Sequence, residues 1–351
     1  MYMFLRQEDK VICALDIGTA SIKAVSITRS GEALSLNNYN EVYTAGYSGK
    51  EMGEYSRLGY EELGKVITDS YNELGTKANR LVLGLPVSEC IFKTISLPVS
   101  VVNMPDISNI ENILKLEFAK KVFAINILNY KFTFSKIDED RQRISYLVLA
   151  INQEYINKLN KIAASICDDY AIEPNIFGGI RMLPQENDQN TLLINIGANN
   201  INLAFINQGV LVGVENIDKG INQVIFNVKN STLTTYREAR VKVFDFDYLN
   251  EEDPVLSDTI KLSTVSIIND IVSVLNSYEL RYNIKYNKVY LSGSSVKISN
   301  TKIFYSQHLN RPVEVLKPFD RLSLPIVMQE SIAKDSAVFV NSLGLAINHI
   351  N

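Results

Sequence analysis

The sequence predicts an α/β protein of two similar lobes, with an α+β subdomain inserted near the first. Three observations carry this reading. A strand, a Gly-centred turn and a second strand occur twice: residues 15–31 read LDIGTASIKAVSITRSG and residues 194–209 read INIGANNINLAFINQG. Aligned on Gly18 and Gly197, the copies share Ile17/Ile196, Ile22/Ile201 and, one position out of step, a turn glycine, Gly31/Gly209. At 351 residues the chain is too long for one small core. Between 80 and 168 the order strand, strand, helix, strand, strand, helix describes a compact sheet covered by helices, of a length that suits an insertion.

In chain order, residues 11–29 form the first strand–turn–strand, and 33–48 continue as polar strands carrying Tyr39, Tyr43 and Tyr47. A helix fits 57–75, where Leu58, Val66, Ile67 and Leu74 fall near one face. Strand 80–85 ends at Pro86, and strand 91–98 follows. Pro105-Asp106 opens a helix in which Ile107, Ile110, Leu114, Phe118 and Val122 recur at helical spacing. Tyr130, Phe132 and Phe134 alternate as in a half-buried strand over 128–137, a charged loop (136–143) leads to an apolar strand at 144–151, and 153–168 is amphipathic. Gly178-Gly179 and a short helix precede the second hairpin at 191–215. Then come a helix at 218–229, opened by Asp218 and Gly220, and a polar stretch at 231–254 that reads as a solvated loop. A long helix spans 255–283, with strands at 287–292 and 312–316 and a last helix at 330–347. The expected division is 10–79 for the first lobe, 80–168 for the insert, 169–190 for a connecting helix of the first lobe, 191–330 for the second lobe and 331–351 for a helix returning to the first.

Composition narrows the function. With 35 basic and 39 acidic residues there is no basic excess of the kind a nucleic-acid binder shows. Cys13, Cys90 and Cys167 lie far apart without a CxxC spacing, which fits buried reduced thiols of a cytoplasmic protein. Two histidines, His308 and His349, cannot build a His-based metal site. No apolar run reaches the roughly 18 residues that span a bilayer, and residues 1–10 are too short for a signal peptide. Met1 to Leu5 fray or touch a surface.

The repeated turns present successive backbone N–H groups, a way of holding phosphate without a cation, and two of them suggest lobes clamping one phosphate tail. Each of Gly18 and Gly197 also serves as an ordinary hairpin glycine. Asp16, closing an apolar strand, fits a turn cap and equally a carboxylate holding hydrated Mg²⁺ before a phosphate. Gly293-Ser294-Ser295, after a strand, fits an N-cap or a backbone platform for a base.

These stretches together resemble the actin-like ATPase superfamily, with its ribonuclease H-like two-lobed fold. LDIGTASIK is similar to its first phosphate loop, INIGANNINLAF to the second, VYLSGSS (289–295) to the adenosine segment and VNSLGLAI (340–347) to its second connecting helix. The helix near 174–187 occupies the place of the first connecting helix. Within the superfamily the chain resembles the PilM family of type IV pilus assembly, with FtsA as the nearer cousin. RLVLGLPVSECIFKTISLP (80–98), VENIDKGINQVI (214–225) and RPVEVLKPFDRL (311–322) carry that resemblance beside VNSLGLAI.

The resemblance implies a nucleotide-binding cytoplasmic adaptor that docks a short cytoplasmic segment of an inner-membrane, PilN-like pilus protein and meets the membrane only through partners. Self-association is a further implied property. The implied cofactors are ATP and Mg²⁺. The nucleotide would be held by Gly18, Thr19, Ala20, Ser21 and Lys23 from one lobe and by Gly197, Ala198, Asn199, Asn200, Gly220, Gly293, Ser294 and Ser295 from the other, with Asp16 as catalytic and metal-binding carboxylate. An FtsA-like division filament, an actin-like secretion-system component and a sugar-kinase relative are the alternatives.

Departures from the superfamily pattern point to binding with weak or absent hydrolysis. Asn195 and Asn202 stand where aspartates are usual, which keeps hydrogen bonding and loses charge. Ser294 replaces a glycine. Arg240 and Val243 replace the Glu and Lys of an Ala-Glu-x-x-Lys segment.

Overall fold

The computed structural model describes residues 10–31, 33–48, 58–102, 108–122, 125–184, 189–250, 252–323 and 336–350. The expectations for Met1–Leu5, for the helix opening at Pro105-Asp106 and for a final helix starting at 330 fall outside these residues.

The first lobe begins with β1 (Lys10–Ile17), β2 (Ser21–Ser30) and β3 (Ala33–Tyr43), then α1 (Ala45–Ser48), α2 (Tyr60–Asn72) and β4 (Arg80–Leu85). The insert follows as β5 (Cys90–Pro98), α3 (Val99–Val102), α4 (Ser108–Lys121), β6 (Tyr130–Glu139) and β7 (Arg143–Asn152). The chain returns through α5 (Gln153–Ile166), β8 (Tyr170–Pro174) and α6 (Ile176–Arg181). The second lobe holds β9 (Thr191–Ile196), β10 (Ile201–Asn207), β11 (Val210–Ile217), α7 (Ile221–Thr232), α8 (Tyr236–Phe244), α9 (Pro254–Tyr282), β12 (Lys288–Gly293), α10 (Thr301–Leu309) and β13 (Val313–Val315). Helix α11 (Val340–His349) is the last element.

The duplication read in the sequence is a duplication of sheets. The first has strand order β3-β2-β1-β4-β8 and the second β11-β10-β9-β12-β13. In each, three antiparallel strands are extended by two parallel ones. Ile17 faces Ile22 across the first turn and Ile196 faces Ile201 across the second, so the aligned pairs are the closing pairs of two equivalent hairpins. Ile12–Ile17 of β1 are buried without alternation, as in a strand covered on both faces. Helices α2 and α5 pack together over this sheet, and α11 packs on it beside α6. The second sheet buries Ile194, Phe205 and Leu291 with Val224, Ile268 and Leu275 of its helices. There Phe205 stacks on Tyr278 with ring centroids 3.7 Å apart.

Several sequence expectations are corrected. Strand β4 hydrogen-bonds between β1 and β8, and α5 buries Leu159 and Ile162 in the first-lobe core, so the inserted unit runs from β5 to β7 and not from 80 to 168. The pattern of an apolar strand does not say which sheet it joins; a parallel partner is reached only by a crossover. The segment 169–190 contains a strand, β8, as well as a short helix. The expected loop at 231–254 contains α8, whose buried Tyr236, Ala239 and Val243 are a narrow face among charges. A capping box starts it: Thr235 accepts from the Glu238 N–H while Glu238 accepts from that of Thr235. Such a cap contributes about 1 kcal/mol. Tyr47 lies in α1, beyond the strand, and α10 had no counterpart in the sequence reading.

Two glycine contacts join the lobes. A Cβ on Gly344 of α11 would lie 2.0 Å from the Gly178 carbonyl oxygen of α6, and one on Gly178 2.0 Å from that of Asn341. The connecting helices therefore cross backbone to backbone. Glu173 ties them further. It accepts two hydrogen bonds from Arg181, at 2.7 and 2.6 Å, and lies 3.0 Å from His349 Nε2.

Candidate nucleotide site between the lobes

The two hairpin turns meet across a cleft. Each is closed by one backbone hydrogen bond, Gly18 N–H to the Ser21 carbonyl (3.1 Å) and Gly197 N–H to the Asn200 carbonyl (2.9 Å). A Cβ at Gly18 would lie 2.7 Å from the Ser21 oxygen, so this closure requires glycine. The N–H groups of Thr19, Ala20, Ala198 and Asn199 donate to no protein acceptor among the described residues. Asn199 Nδ2 donates to Thr19 Oγ1 at 3.2 Å, a direct bond from one turn to the other. The second turn rests on α7, whose Ile221 and Asn222 N–H groups donate to the Gly197 and Ala198 carbonyls.

Asp16 lies at the floor, 6 % exposed. Its carboxylate accepts from Asn175 Nδ2 at 2.7 Å and from Asn341 Nδ2 at 3.2 Å, the first beside α6 and the second on α11. Burial raises its pKa above the usual carboxylate range; Lys23, its cross-strand neighbour, and the two amides offset only part of that. The Oδ1 atoms of Asn175 and Asn341 are buried without a partner. A carboxylate flanked by partnerless amide oxygens fits a hydrated Mg²⁺, which keeps most of its waters and takes one or two carboxylates. Asn195 and Asn202 face each other across the second hairpin, as Asp16 and Lys23 do across the first, and bring no charge. Among the described residues no cluster of three or more His, Cys, Asp or Glu side chains forms a metal site.

The structure brings Asp16, Gly18, Thr19, Ala20, Lys23, Gly197, Ala198, Asn200, Gly293 and Ser294 together around one cavity. Asn199 reaches it through its bond to Thr19. Gly293 holds φ +89°, and a Cβ there would lie 2.4 Å from the Ile196 carbonyl oxygen. Three residues stand differently from expectation. Gly220 lies behind the second turn, where a Cβ would meet the Ala198 oxygen at 2.4 Å, so it lets α7 seat against that turn. Ser295 is buried with its Oγ unpartnered and does not line the cavity. The Ser21 hydroxyl turns away to Glu41.

Beyond Lys23 the cleft continues into a recess lined by Glu41, Tyr43, Tyr236, Arg240, Phe244 and Lys297. Arg240 crosses it, donating to Tyr43 Oη at 2.7 Å with its guanidinium 5.1 Å from the Phe244 ring. Val243 is fully buried in the second lobe. On the other side of the first turn, Ile22, Leu58, Leu63 and Tyr155 line an apolar groove that shares Ile17, Gly18, Thr19, Pro86 and Ser88 with the cleft. Sequence reasoning missed Asn175, Asn341, Glu41 and Lys297, because no short-range motif includes them.

Two matched sheets, facing Gly turns and crossing connecting helices define a protein of the actin-like ATPase fold. The chain belongs to the family described as type IV pilus assembly protein PilM, which matches residues 14–350. No curated protein sequence matches it. Among solved structures it is similar to a PilM–PilN type IV pilus biogenesis complex, with 18 % identity and TM-score 0.78 over 97 % of this chain and 98 % of that one. Similarity extends to the ethanolamine utilization protein EutJ from Carboxydothermus hydrogenoformans, with 13 % identity and TM-score 0.56 over 98 % and 90 % of the two chains. MreB5 of Spiroplasma citri bound to AMPPNP matches with 13 % identity and TM-score 0.56 over 97 % and 96 %. Among the described residues no helix is long and apolar enough to cross a membrane.

Proposed function

We propose that the protein is a nucleotide-responsive adaptor of type IV pilus assembly, at the inner face of the membrane. It binds ATP in the cleft and docks a short cytoplasmic segment of a PilN-like membrane protein in the apolar groove. The observation that carries the first half is the pair of equivalent turns, closed alike and bonded to each other through Asn199 and Thr19. Their unengaged N–H groups would take the phosphates, and Asp16 with the two amides would hold a hydrated Mg²⁺. That ion would neutralise phosphate charge. MreB5 with AMPPNP and the PilM–PilN complex support the reading as proteins of like fold.

ATP with Mg²⁺ is expected to raise the melting temperature, since a ligand at 100 times its Kd adds about 2.7 kcal/mol. Gly18→Val should remove the shift by blocking the turn. No shift in the unaltered protein at millimolar ATP overturns the nucleotide reading.

The groove reading is tested apart from it. Leu58→Arg puts a charge into the groove at a residue that does not line the cleft, and is expected to reduce binding of a synthetic cytoplasmic segment of the cognate PilN-type protein by tenfold or more, roughly 1.4 kcal/mol. Unchanged peptide affinity, measured by fluorescence anisotropy, would place the partner elsewhere.

A further inference from the structure

Glu41, on β3 of the first lobe, is surrounded by donors from both lobes. The Ser21 hydroxyl donates to it at 2.7 Å and Tyr43 Oη at 3.3 Å. Lys23 Nζ lies 3.8 Å away, and Lys297 Nζ, from the turn after β12 in the second lobe, lies 3.6 Å away on the other oxygen. Arg240 of α8 stands behind Tyr43. The Lys23, Glu41 and Lys297 side chains are 12 %, 18 % and 17 % exposed, so these pairs are sheltered from the screening that makes surface ion pairs weak. Burial alone would raise the Glu41 pKa, yet Lys23, Lys297, the Ser21 hydroxyl and Arg240 together hold it below the usual range.

One carboxylate thus sits in a cage of three cations and two hydroxyls. The recess opens onto the phosphate turns, sharing Thr19, Ala20, Lys23, Ala198 and Ser294 with the cleft. A polyphosphate on those turns would bring several negative charges within reach of the same two lysines, and charge-assisted bonds to phosphate are the stronger kind. We propose that the cage is a phosphate-binding site whose resident, in the ligand-free protein, is the Glu41 carboxylate, and that a nucleotide's phosphates displace it. Glu41 is then an internal competitor that also latches the lobes, through Lys297, while no ligand is bound. This rests on the nucleotide reading above for its ligand. The latch itself does not.

The experiment uses the full chain, Glu41→Gln and Lys297→Met. Glutamine keeps the shape and the Ser21 bond while losing the charge that the lysines face. Calorimetric titration with MgATP, and separately with tripolyphosphate, should give roughly tenfold tighter binding for Glu41→Gln, as expected on removing the charge that competes with the phosphates for the two lysines. Lys297→Met should weaken binding, because it removes a cation the ligand takes. Spin labels at exposed Glu62 and Arg237, in a Cys167→Ser background, report lobe separation without nucleotide, and both variants should broaden the distance distribution. Opposite effects on affinity with the same effect on lobe separation separate an internal competitor from a merely structural pair. Unchanged or weaker binding by Glu41→Gln, or unchanged distances in both variants, overturns the proposal. If the unaltered protein binds neither ligand, the nucleotide reading and displacement fail together, and the distances still decide the latch.

Discussion

Gly344→Val leaves the chain unable to hold its native lobe arrangement. The added Cβ would lie 2.0 Å from the Gly178 carbonyl oxygen and 2.5 Å from its carbon, both backbone atoms that cannot swing aside. Relief requires α11 to lift away from α6 and from the first sheet, where Leu343, Leu345 and Ala346 are fully buried. Opening that packing costs several kcal/mol, against a total stability of about 5–15 kcal/mol. Even Gly344→Ala should be severe, since Cβ alone makes the clash. Gly75→Ala is the comparison: Gly75 has φ +63° but open space around its Cβ position, so only the backbone preference is lost, about 1 kcal/mol. Urea denaturation of the three variants ranks them. A Gly344→Ala midpoint within error of that of the unaltered protein would show that the helices do not cross as described.

The second large effect is on chemistry at Asp16. ATP is expected to bind with turnover near background, because phosphoryl transfer to water needs charge neutralisation and a positioned water. Among the described residues Asp16 brings the one carboxylate of the cavity lining, while Asn195 and Asn202 bring none. Backbone N–H contacts to phosphate do not depend on those side chains, so binding survives what turnover does not. Asn195→Asp, alone or with Asn202→Asp, should strengthen the Mg²⁺ dependence of binding and raise phosphate release. Robust release by the unaltered protein, abolished by Asp16→Ala, would refute the assignment to the asparagines.

Asp16 also leaves a signature without nucleotide. Its folded pKa is raised, so its contribution favours folding below the unfolded pKa of about 3.9 and is lost as pH rises through the folded value. Above the unfolded pKa, keeping this carboxyl buried is therefore a cost. Asp16→Asn should melt higher than the unaltered protein in nucleotide-free buffer at pH 8, with the gap widening as pH rises from about 4 through the folded value, while losing the Mg²⁺-dependent ATP shift. An equal or lower melting temperature for Asp16→Asn at pH 8 contradicts this.

How far the sequence could be read follows from which contacts are local. Gly18 with its flanking isoleucines, and Gly197 with its own, declare two hairpins because strand pairing across a tight turn involves neighbours in the chain. The Pro254 start of α9 was legible for the same reason, as Asp253 caps the Leu256 N–H just beside it. The capping box of α8 was equally local, but a helix of nine residues with three buried ones is easily masked by its charges. The site is another matter. Asn175 and Asn341 reach Asp16 from 159 and 325 residues away, and neither belongs to a spacing that announces chemistry. Glu41 reads as one polar residue in a polar strand until the second lobe brings Lys297 to it.

The crossing of α6 and α11 has a mechanical meaning. Two helices that touch through glycine backbones cross closely there, with Leu345 and Asn341 of α11 beside Gly178 and Gly179, like two blades held by one rivet. Asn175, beside α6, and Asn341, on α11, grip the two oxygens of one carboxylate next to that rivet. A cation pulling on Asp16 would therefore tug both blades at once.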